Sequence, residues 1–197
     1  IPSLVAQSDV VVVQYLHTYE SLALIEALKA CCKKTVFLTE IDDWLLDTPF
    51  TNAAFQQYQP GFKYREIVLE QIKALDGVIV STPFLRDAYS EFNPHTYLVP
   101  NGIDFTHWDK VQNKHTKDVR IGWVGGDGHQ EDLRTIEKPL KEFLKENHNC
   151  FFYCIQGVPD FFKNQSRIVP INKWFRIDRY PKALSKYGFD IGIAPLV

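Results

Sequence analysis

The sequence predicts an α/β protein with two consecutive parallel-sheet domains, and two patterns support this prediction. Short apolar runs rich in β-branched residues alternate with longer segments of helical period along the chain. Continuously apolar strands that alternate with helices are typical of parallel sheets covered on both faces. The alternation pauses in the polar stretch 106–118 and then restarts, which indicates two Rossmann-like halves, residues 1–108 and residues 109–197.

The first half contains alternating strand and helix candidates. Thr18 is placed to cap the first helix, whose apolar residues recur at helical spacing. Pro83 fits the first turn of the last helix, where the missing N–H of proline costs no hydrogen bond. The predicted strands cover residues 9–14, 35–41, 77–82 and 96–99, and the helices cover residues 18–32, residues 63–75 and the segment after Pro83.

The second half repeats the alternation. Pro139 predicts a kink inside a helix that follows a glycine-rich turn. The last strand runs into the end of the chain and the chain contains no methionine, so we expect a fragment in which both domains are incomplete. The predicted strands cover residues 118–126, 150–157, 167–171 and 189–196, and the helices cover residues 131–147 and 178–187.

Composition and charge argue against a nucleic-acid binder and against a membrane-spanning protein. Of the 197 residues, 45% are hydrophobic and 23% are charged, and the formal net charge is −2. The sequence has no basic run of the kind that binds nucleic acid. The longest apolar run, Val10–Val13, is too short to cross a bilayer. The opening residues lack the pattern of a secretion signal, so we expect a cytoplasmic protein.

The cysteines do not indicate a metal site. Cys31 and Cys32 are adjacent, and Cys150 and Cys154 flank an aromatic strand on which they share one face. Neither pair has the spacing of zinc ligands or of a disulfide framework. We therefore predict reduced, buried thiols and no bound metal.

A glycine-rich junction between a strand and a helix is the first candidate for ligand binding. Gly125, Gly126 and Gly128 would let the backbone approach an anion, and the N–H groups at the start of a following helix would favour it. His129 is placed to donate to a phosphate. The spacing is neither that of a P-loop nor GxGxxG, so a nicotinamide or flavin site is unsupported. A tight turn without a ligand is the alternative.

Two adjacent carboxylates are the second candidate. Asp42 and Asp43 end a strand on the side where open α/β sheets bind their ligands. Such a pair could orient sugar hydroxyls, act as a base or bind a metal. A helix N-cap with a solvated neighbour is the alternative. The aromatic residues that follow could stack on a sugar or belong to the core; they are Trp44, Phe50, Phe55 and Tyr58.

Three segments occur in the order and spacing of one family: "VPNGID" (99–104), "WVGGDGHQEDL" (123–133) and "YPKALSKYGFDIGIAPL" (180–196). With them, the chain resembles the family 4-type glycosyltransferases, which have the GT-B fold of two facing Rossmann-like domains. The resemblance implies transfer of a sugar from a nucleotide-diphosphate sugar to a glycan, lipid-linked or small-molecule acceptor, with retention and without a metal or other cofactor. It also leaves open peripheral membrane association of the full-length protein.

The resemblance assigns candidate roles to particular residues. Asp43 matches an aspartate beside the transferred sugar, and Asp42 replaces the family's histidine. Asn101 and Gly102 lie in the hinge-side turn, where we expect Gly102 to supply a backbone shape that a side chain would hinder. The implied donor-binding residues are Gly125, Gly126, Asp127 and His129 at the phosphates, Val169, Pro170 and Ile171 near the base, and Pro195 and Leu196 near the sugar or ribose.

The sequence departs from the family in ways that keep rival functions open. Asp127, His129 and Gln130 stand where many relatives carry basic residues, and the family's paired glutamates would follow Val197. We therefore expect the fragment itself to be inactive. The rivals are a non-catalytic two-lobed module that binds a sugar or nucleotide, and a GT-B sugar-nucleotide epimerase.

Overall fold

The computed structural model describes residues 2–48, 55–108 and 116–195, apart from the side chains of His107 and Asp127. Its described residues form two compact units, which meet in sequence between Gly102 and Ile103. The predicted domain limits, 1–108 and 109–197, stay a prediction because residues 109–115 lie outside the described part. Among the described residues, no helix is both long and apolar enough to cross a membrane.

The first unit is a parallel sheet, as the sequence predicts, and its four strands lie in the order β1-β2-β3-β4. Thr18 caps α2 by accepting a hydrogen bond from the Ser21 amide at 3.1 Å, and Thr82 caps α4 in the same way. Pro83 is the first residue of α4, as predicted. The elements are α1 (Pro2–Ala6), β1 (Val10–Val13), α2 (Tyr19–Cys31), β2 (Val36–Ile41), α3 (Lys63–Ala74), β3 (Gly77–Val80), α4 (Pro83–Tyr89) and β4 (Thr96–Leu98).

The second unit is also a four-stranded parallel sheet, in the order β7-β6-β5-β8. Phe152 at the middle of β6 is fully buried and packs edge-on against Phe162. The strand β8 is only two residues long, much shorter than the predicted 189–196. The elements are α5 (Phe105–Trp108), β5 (Val119–Val124), α6 (Glu137–Glu146), β6 (Cys150–Ile155), β7 (Ile168–Ile171), α7 (Tyr180–Ser185) and β8 (Ile191–Gly192).

Two predicted helices of the second unit are present but shorter than predicted. The predicted helix 131–147 is split into a 3₁₀ helix, Glu131–Ile136, and the α-helix α6. Pro139 lies in the first turn of α6, so it removes an N–H that has no partner within the helix and causes no kink. The predicted helix 178–187 is reduced to α7 because residues 177–179 form a separate 3₁₀ turn.

Two further predictions are corrected by the packing. Cys150 and Cys154 are buried, as predicted, and burial raises the pKa of the Cys154 thiol to about 12. At the end of α2, Cys31 is exposed, whereas Cys32 is half-buried and packs against a core cluster. Gly102 does not need to be glycine for steric reasons, since its φ is not positive and an added Cβ would meet no atom within 4 Å.

Candidate functional site

The first candidate site lies at the carboxyl edge of the first sheet. The strands are parallel, so their carboxyl ends meet at one edge, and Ile41 at the end of β2 is in register with Val80 at the end of β3. Asp42 and Asp43 follow directly and are exposed. Such an edge is where ligands bind in open α/β sheets. Both carboxylates therefore stand where the sequence predicts them.

Asp42 is oriented by a neighbouring strand. The hydroxyl of Tyr15, which follows β1, donates to Asp42 Oδ1 at 2.8 Å. Burial raises the pKa of Tyr15 well above its usual value, and the hydrogen bond to the Asp42 carboxylate raises it further. The Ser81 hydroxyl, which follows β3, donates to the Asp42 carbonyl oxygen at 3.4 Å. Three strand ends thus converge on Asp42.

The backbone of Asp43 is held by a buried tyrosine. The hydroxyl of Tyr89, which is fully buried at the end of α4, donates to the Asp43 carbonyl oxygen at 2.8 Å. The same hydroxyl accepts from the Leu45 amide at 3.2 Å. Burial raises the pKa of Tyr89 to about 12. The loop that carries the acidic pair is therefore anchored to the core.

The N-cap alternative for the acidic pair is wrong. The next helical element is a 3₁₀ turn, Leu45–Asp47, whose N-cap is Trp44 and which has no side-chain cap. Helix capping therefore does not account for either carboxylate. Both carboxylates are exposed at the sheet edge, where Asp42 accepts the hydrogen bond from Tyr15.

The aromatic residues near the acidic pair belong mainly to the core. Trp44 is half-buried and packs edge-on against Tyr89, with ring centroids 5.0 Å apart. Tyr58 is buried in the same cluster, and Phe55 is half-buried. Phe50 lies outside the described residues. Trp44 and Phe55 are therefore the two described rings of this group that keep an exposed surface for stacking.

A buried glutamine supports the same edge and was missed by the sequence analysis. Gln71 in α3 is 1% exposed. Its side chain donates to Thr39 Oγ1 at 2.7 Å and to the Gln14 carbonyl oxygen at 2.9 Å, and it accepts from the Leu16 amide at 3.1 Å. Gln71 thereby fixes the chain after β1, where Tyr15 lies. The sequence feature that could have identified Gln71 is its position as a polar residue on the apolar face of the predicted helix 63–75.

The second candidate site is the glycine turn after β5. An added Cβ at Gly125 would lie 2.3 Å from the buried Trp123 ring, whereas one at Gly126 would meet no atom within 4 Å. Gly125 is therefore required by packing. Gly126 leaves the backbone accessible to an approaching group, as the sequence predicts.

The expected α-helix start beside these glycines is absent from the described structure. Residues 127–129 form a 3₁₀ turn, and α6 begins only at Glu137. The glycines are therefore followed by the 3₁₀ helix Glu131–Ile136 and not directly by the α-helix that the sequence predicts. His129 is exposed, and its Nδ1 lies 2.9 Å from Oδ2 of the buried Asp132.

The remaining predicted donor-binding residues lie along the same edge of the second sheet. Val124, Ile155 and Ile171 are in register across β5, β6 and β7. Val169 and Pro170 precede Ile171 within β7, and Pro195 follows β8. Leu196 lies outside the described residues, and the hinge-side residues Asn101 and Gly102 are exposed after β4.

The turn after β6 adds a feature that the sequence analysis missed. Gln156 has a φ of 74° and Gly157 a φ of 132°. A positive φ is uncommon for a residue with a side chain, and here it is held by a hydrogen bond from the Gln156 amide to the Ile171 carbonyl oxygen at 2.9 Å. Gln156 therefore extends the candidate edge between the glycine turn and β7.

The two parallel sheets have the architecture of the GT-B fold, and comparison with solved structures supports this class. TarM aligns with a TM-score of 0.62 and 12% identity, over 96% of this chain and 37% of its own. The E. coli trehalose-6-phosphate structure bound with UDP-2-fluoro glucose aligns with a TM-score of 0.60 and 13% identity, over 99% of this chain and 56% of its own.

A third solved structure belongs to a protein from Listeria monocytogenes assigned as a UDP-N-acetylglucosamine 2-epimerase. It aligns with a TM-score of 0.55 and 12% identity, over 93% of this chain and 52% of its own. The chain thus spans little more than half the length of these proteins at most. No protein-family model and no curated protein matches the sequence. At this identity the likenesses define the fold and leave the reaction to be argued from the residues.

Proposed function

We propose that the chain is part of a GT-B glycosyltransferase that moves a sugar from a nucleotide-diphosphate sugar to an acceptor. The observations that carry the proposal are an anchored acidic pair after β2 in the first unit and an open glycine turn after β5 in the second unit. The E. coli structure of the same fold holds UDP-2-fluoro glucose, which supports a nucleotide sugar as the donor.

In this proposal the glycine turn binds the donor diphosphate. The open backbone at Gly126 lets its N–H groups approach the phosphate oxygens. Asp132 lies against Nδ1 of His129, and in this proposal Nε2 contacts the leaving group. Backbone and side-chain donors that stabilise the departing diphosphate can replace a metal ion. Val169, Pro170 and Ile171 then lie towards the base, with Asp127 at the phosphates and Pro195 and Leu196 towards the sugar or ribose.

The acidic pair acts on the sugar and the acceptor. The hydrogen bond from Tyr15 fixes the Asp42 carboxylate so that it orients a sugar hydroxyl or accepts its proton. Asp43 faces the transferred sugar, as its match to the family implies. Transfer with retention follows from the same resemblance, and the acceptor is a glycan, a lipid-linked sugar or a small molecule.

Donor binding is tested by calorimetry with UDP-, GDP- and dTDP-sugars. Gly126→Val should weaken binding at least about tenfold, because a side chain would fill the space over the phosphates. Gly102→Val is the matched control, since it also adds a valine where a Cβ meets no atom within 4 Å. The thermal midpoints of both variants should stay within about 2 °C of the parent. Equal affinities would remove the phosphate role of Gly126.

Catalysis is tested in the full-length protein by measuring sugar transfer. Asp42→Asn should lower kcat about 10²-fold or more, the usual contribution of a positioned acid or base. Asp47→Asn is the control, because Asp47 is another exposed carboxylate, on the 3₁₀ turn beside the pair. A comparable loss in both variants would contradict the catalytic role of Asp42.

The epimerase is the second candidate because the Listeria neighbour is assigned to that activity. The full-length protein is incubated with UDP-N-acetylglucosamine and no acceptor. Formation of a 2-epimer would favour the epimerase, whereas turnover only after an acceptor is added would favour the transferase. Binding without any turnover would favour the non-catalytic module.

A further inference from the structure

A strongly basic face lies on the second unit, around α7. Between residues 172 and 187 the chain carries five basic side chains and one carboxylate, although its net charge is −2. The carboxylate, Asp178, is paired with Arg176 at 3.0 Å. We call the five residues the basic face: Lys173, Arg176, Arg179, Lys182 and Lys186.

Four of these cations, Lys173, Arg179, Lys182 and Lys186, line one cavity of about 600 Å³ together with two aromatic rings, and no carboxylate is among the described residues of its lining. Lys182 lies on α7, while Arg179 and Lys186 are its N-cap and C-cap residues, so the three cations follow one another at spacings of three and four residues. Like charges held this close repel one another unless an anion lies between them. The cavity is therefore suited to a phosphate group.

Aromatic rings form part of the cavity lining. Phe175 contacts the rings of Tyr180 and Tyr187, with centroids 6.5 and 6.3 Å away. Tyr187 in turn stacks on Phe189 at 5.9 Å with an interplanar angle of 13°. Phe189 also contacts the ring of Tyr153 in β6 at 5.7 Å, so this group of rings connects the cavity to the sheet.

Two large apolar side chains project outward beside the cavity. Trp174 is 77% exposed and Ile177 is 92% exposed, while Phe175 between them turns inward. Binding of a small soluble phosphate in the cavity would not require these two apolar side chains to be exposed to water. Tryptophan beside lysine and arginine is typical of the boundary between a bilayer and water.

We propose that the basic face docks on an anionic lipid surface. Headgroup phosphates enter the cavity between Lys173, Arg179, Lys182 and Lys186, and Trp174 and Ile177 insert among the acyl chains next to the headgroups. The binding combines charge attraction with a small apolar contribution. Docking on a membrane does not require sugar transfer, so an experiment that disproves one of these two proposals leaves the other standing.

Charge-reversal variants test the proposal with vesicles. Lys182→Glu/Lys186→Glu should lower partitioning onto phosphatidylcholine–phosphatidylglycerol vesicles at least about tenfold, since two basic residues near an anionic surface contribute that much or more. Lys138→Glu/Lys145→Glu makes the same change of charge at two exposed lysines of α6 and should lower it less than about threefold. Vesicles of phosphatidylcholine alone should bind weakly.

Tryptophan fluorescence tests the orientation. Brominated phosphatidylcholine in the anionic vesicles should quench the parent protein, because Trp174 is exposed, whereas Trp123 is buried and Trp44 and Trp108 are half-buried. Trp174→Phe should remove most of this quenching while leaving the circular dichroism spectrum unchanged. Equal quenching in the parent and in this variant would overturn insertion of Trp174.

Several outcomes would overturn the lipid surface as the partner. These are equal binding to neutral and anionic vesicles, equal losses in the two charge-reversal variants, and binding of soluble glycerol phosphate without binding of vesicles. Tighter binding of a short RNA than of vesicles would identify a nucleic-acid site. Loss of UDP binding in Lys182→Glu/Lys186→Glu would assign the cavity to the donor instead.

Discussion

The two sheets end in different ways at their carboxyl edges. The edge of the first sheet is built from polar side chains, with Tyr15, Gln71 and Tyr89 holding the loops that carry the acidic pair. The edge of the second sheet is built from backbone, with Gly126 open and Gln156 in a positive-φ turn. The comparison shows that two sheets of the same type can offer different groups at their carboxyl edges: charged side chains at the first and main-chain groups at the second.

The largest effect should come from removing the anchor of the first edge. Tyr89→Ala deletes a fully buried ring and leaves the Asp43 carbonyl and the Leu45 amide without their shared hydroxyl. We expect a loss of about 3–5 kcal/mol in the free energy of unfolding, the range for truncating a large buried aromatic residue. Urea denaturation measures it. A loss below about 1 kcal/mol would show that Tyr89 is not the anchor.

The second prediction concerns alkaline pH. The pKa of Tyr89 is raised to about 12, so the native state holds the proton more tightly than the unfolded chain does. The contribution of this shift to the free energy of unfolding is complete below about pH 10, the pKa in the unfolded chain. It is lost as the pH rises towards about 12, and the total loss is up to about 3 kcal/mol.

The variant Tyr89→Phe isolates this contribution. Tyr15, Tyr58 and Cys154 also have raised pKa values, but they are present in both proteins, so their effects cancel in the comparison. Unfolding free energies measured between about pH 9 and 11 should fall less steeply in the variant than in the parent. Parallel curves would contradict the role of the Tyr89 hydroxyl.

The third prediction compares two adjacent glycines at the second edge. Gly125→Val drives a side chain into the Trp123 ring and should cost about 1–3 kcal/mol through overpacking. Gly126→Val adds the same side chain into open space and should change stability by less than about 0.5 kcal/mol. Thermal denaturation of both variants measures the difference. Equal losses would mean that the turn is not open at Gly126.

The smallest effect should come from the turn between the units. Gly102→Ala places a methyl group where no atom lies within 4 Å, at a residue whose φ is not positive. We expect a change within about 0.5 kcal/mol by urea denaturation. A loss above about 1 kcal/mol would restore the conformational role that the sequence predicts for Gly102.

The sequence was most informative where local chemistry decides the structure. The apolar runs predict all eight strands that the described residues form, and Thr18 and Pro83 occupy the helix positions predicted for them. It was least informative at 3₁₀ turns, as in the segment from Glu131 to Ile136, where the choice between 3₁₀ and α geometry depends on packing. Pro139 illustrates the limit, because its effect depends on where the helix begins.

The residues of the candidate site also fall into two groups, those that the sequence identifies and those that only the structure identifies. Asp42, Asp43 and the glycine turn can be read from sequence because chain order alone places them after strands. Tyr15 and Tyr89 could not, since their bonds to Asp42 and Asp43 join residues 27 and 46 positions apart. The basic face was missed because its cations are spread over 14 positions and come together only when α7 folds beside Lys173.

The sequence by itself thus determined the α/β class, the strand succession and the positions of the acidic pair and the glycine turn, because side-chain periodicity and turn chemistry act between near neighbours. The tertiary structure decided strand order, the anchoring of the acidic loop, the difference between Gly125 and Gly126, and the gathering of cations around one cavity. These features depend on contacts between distant residues, which long-range packing selects and local propensity does not encode.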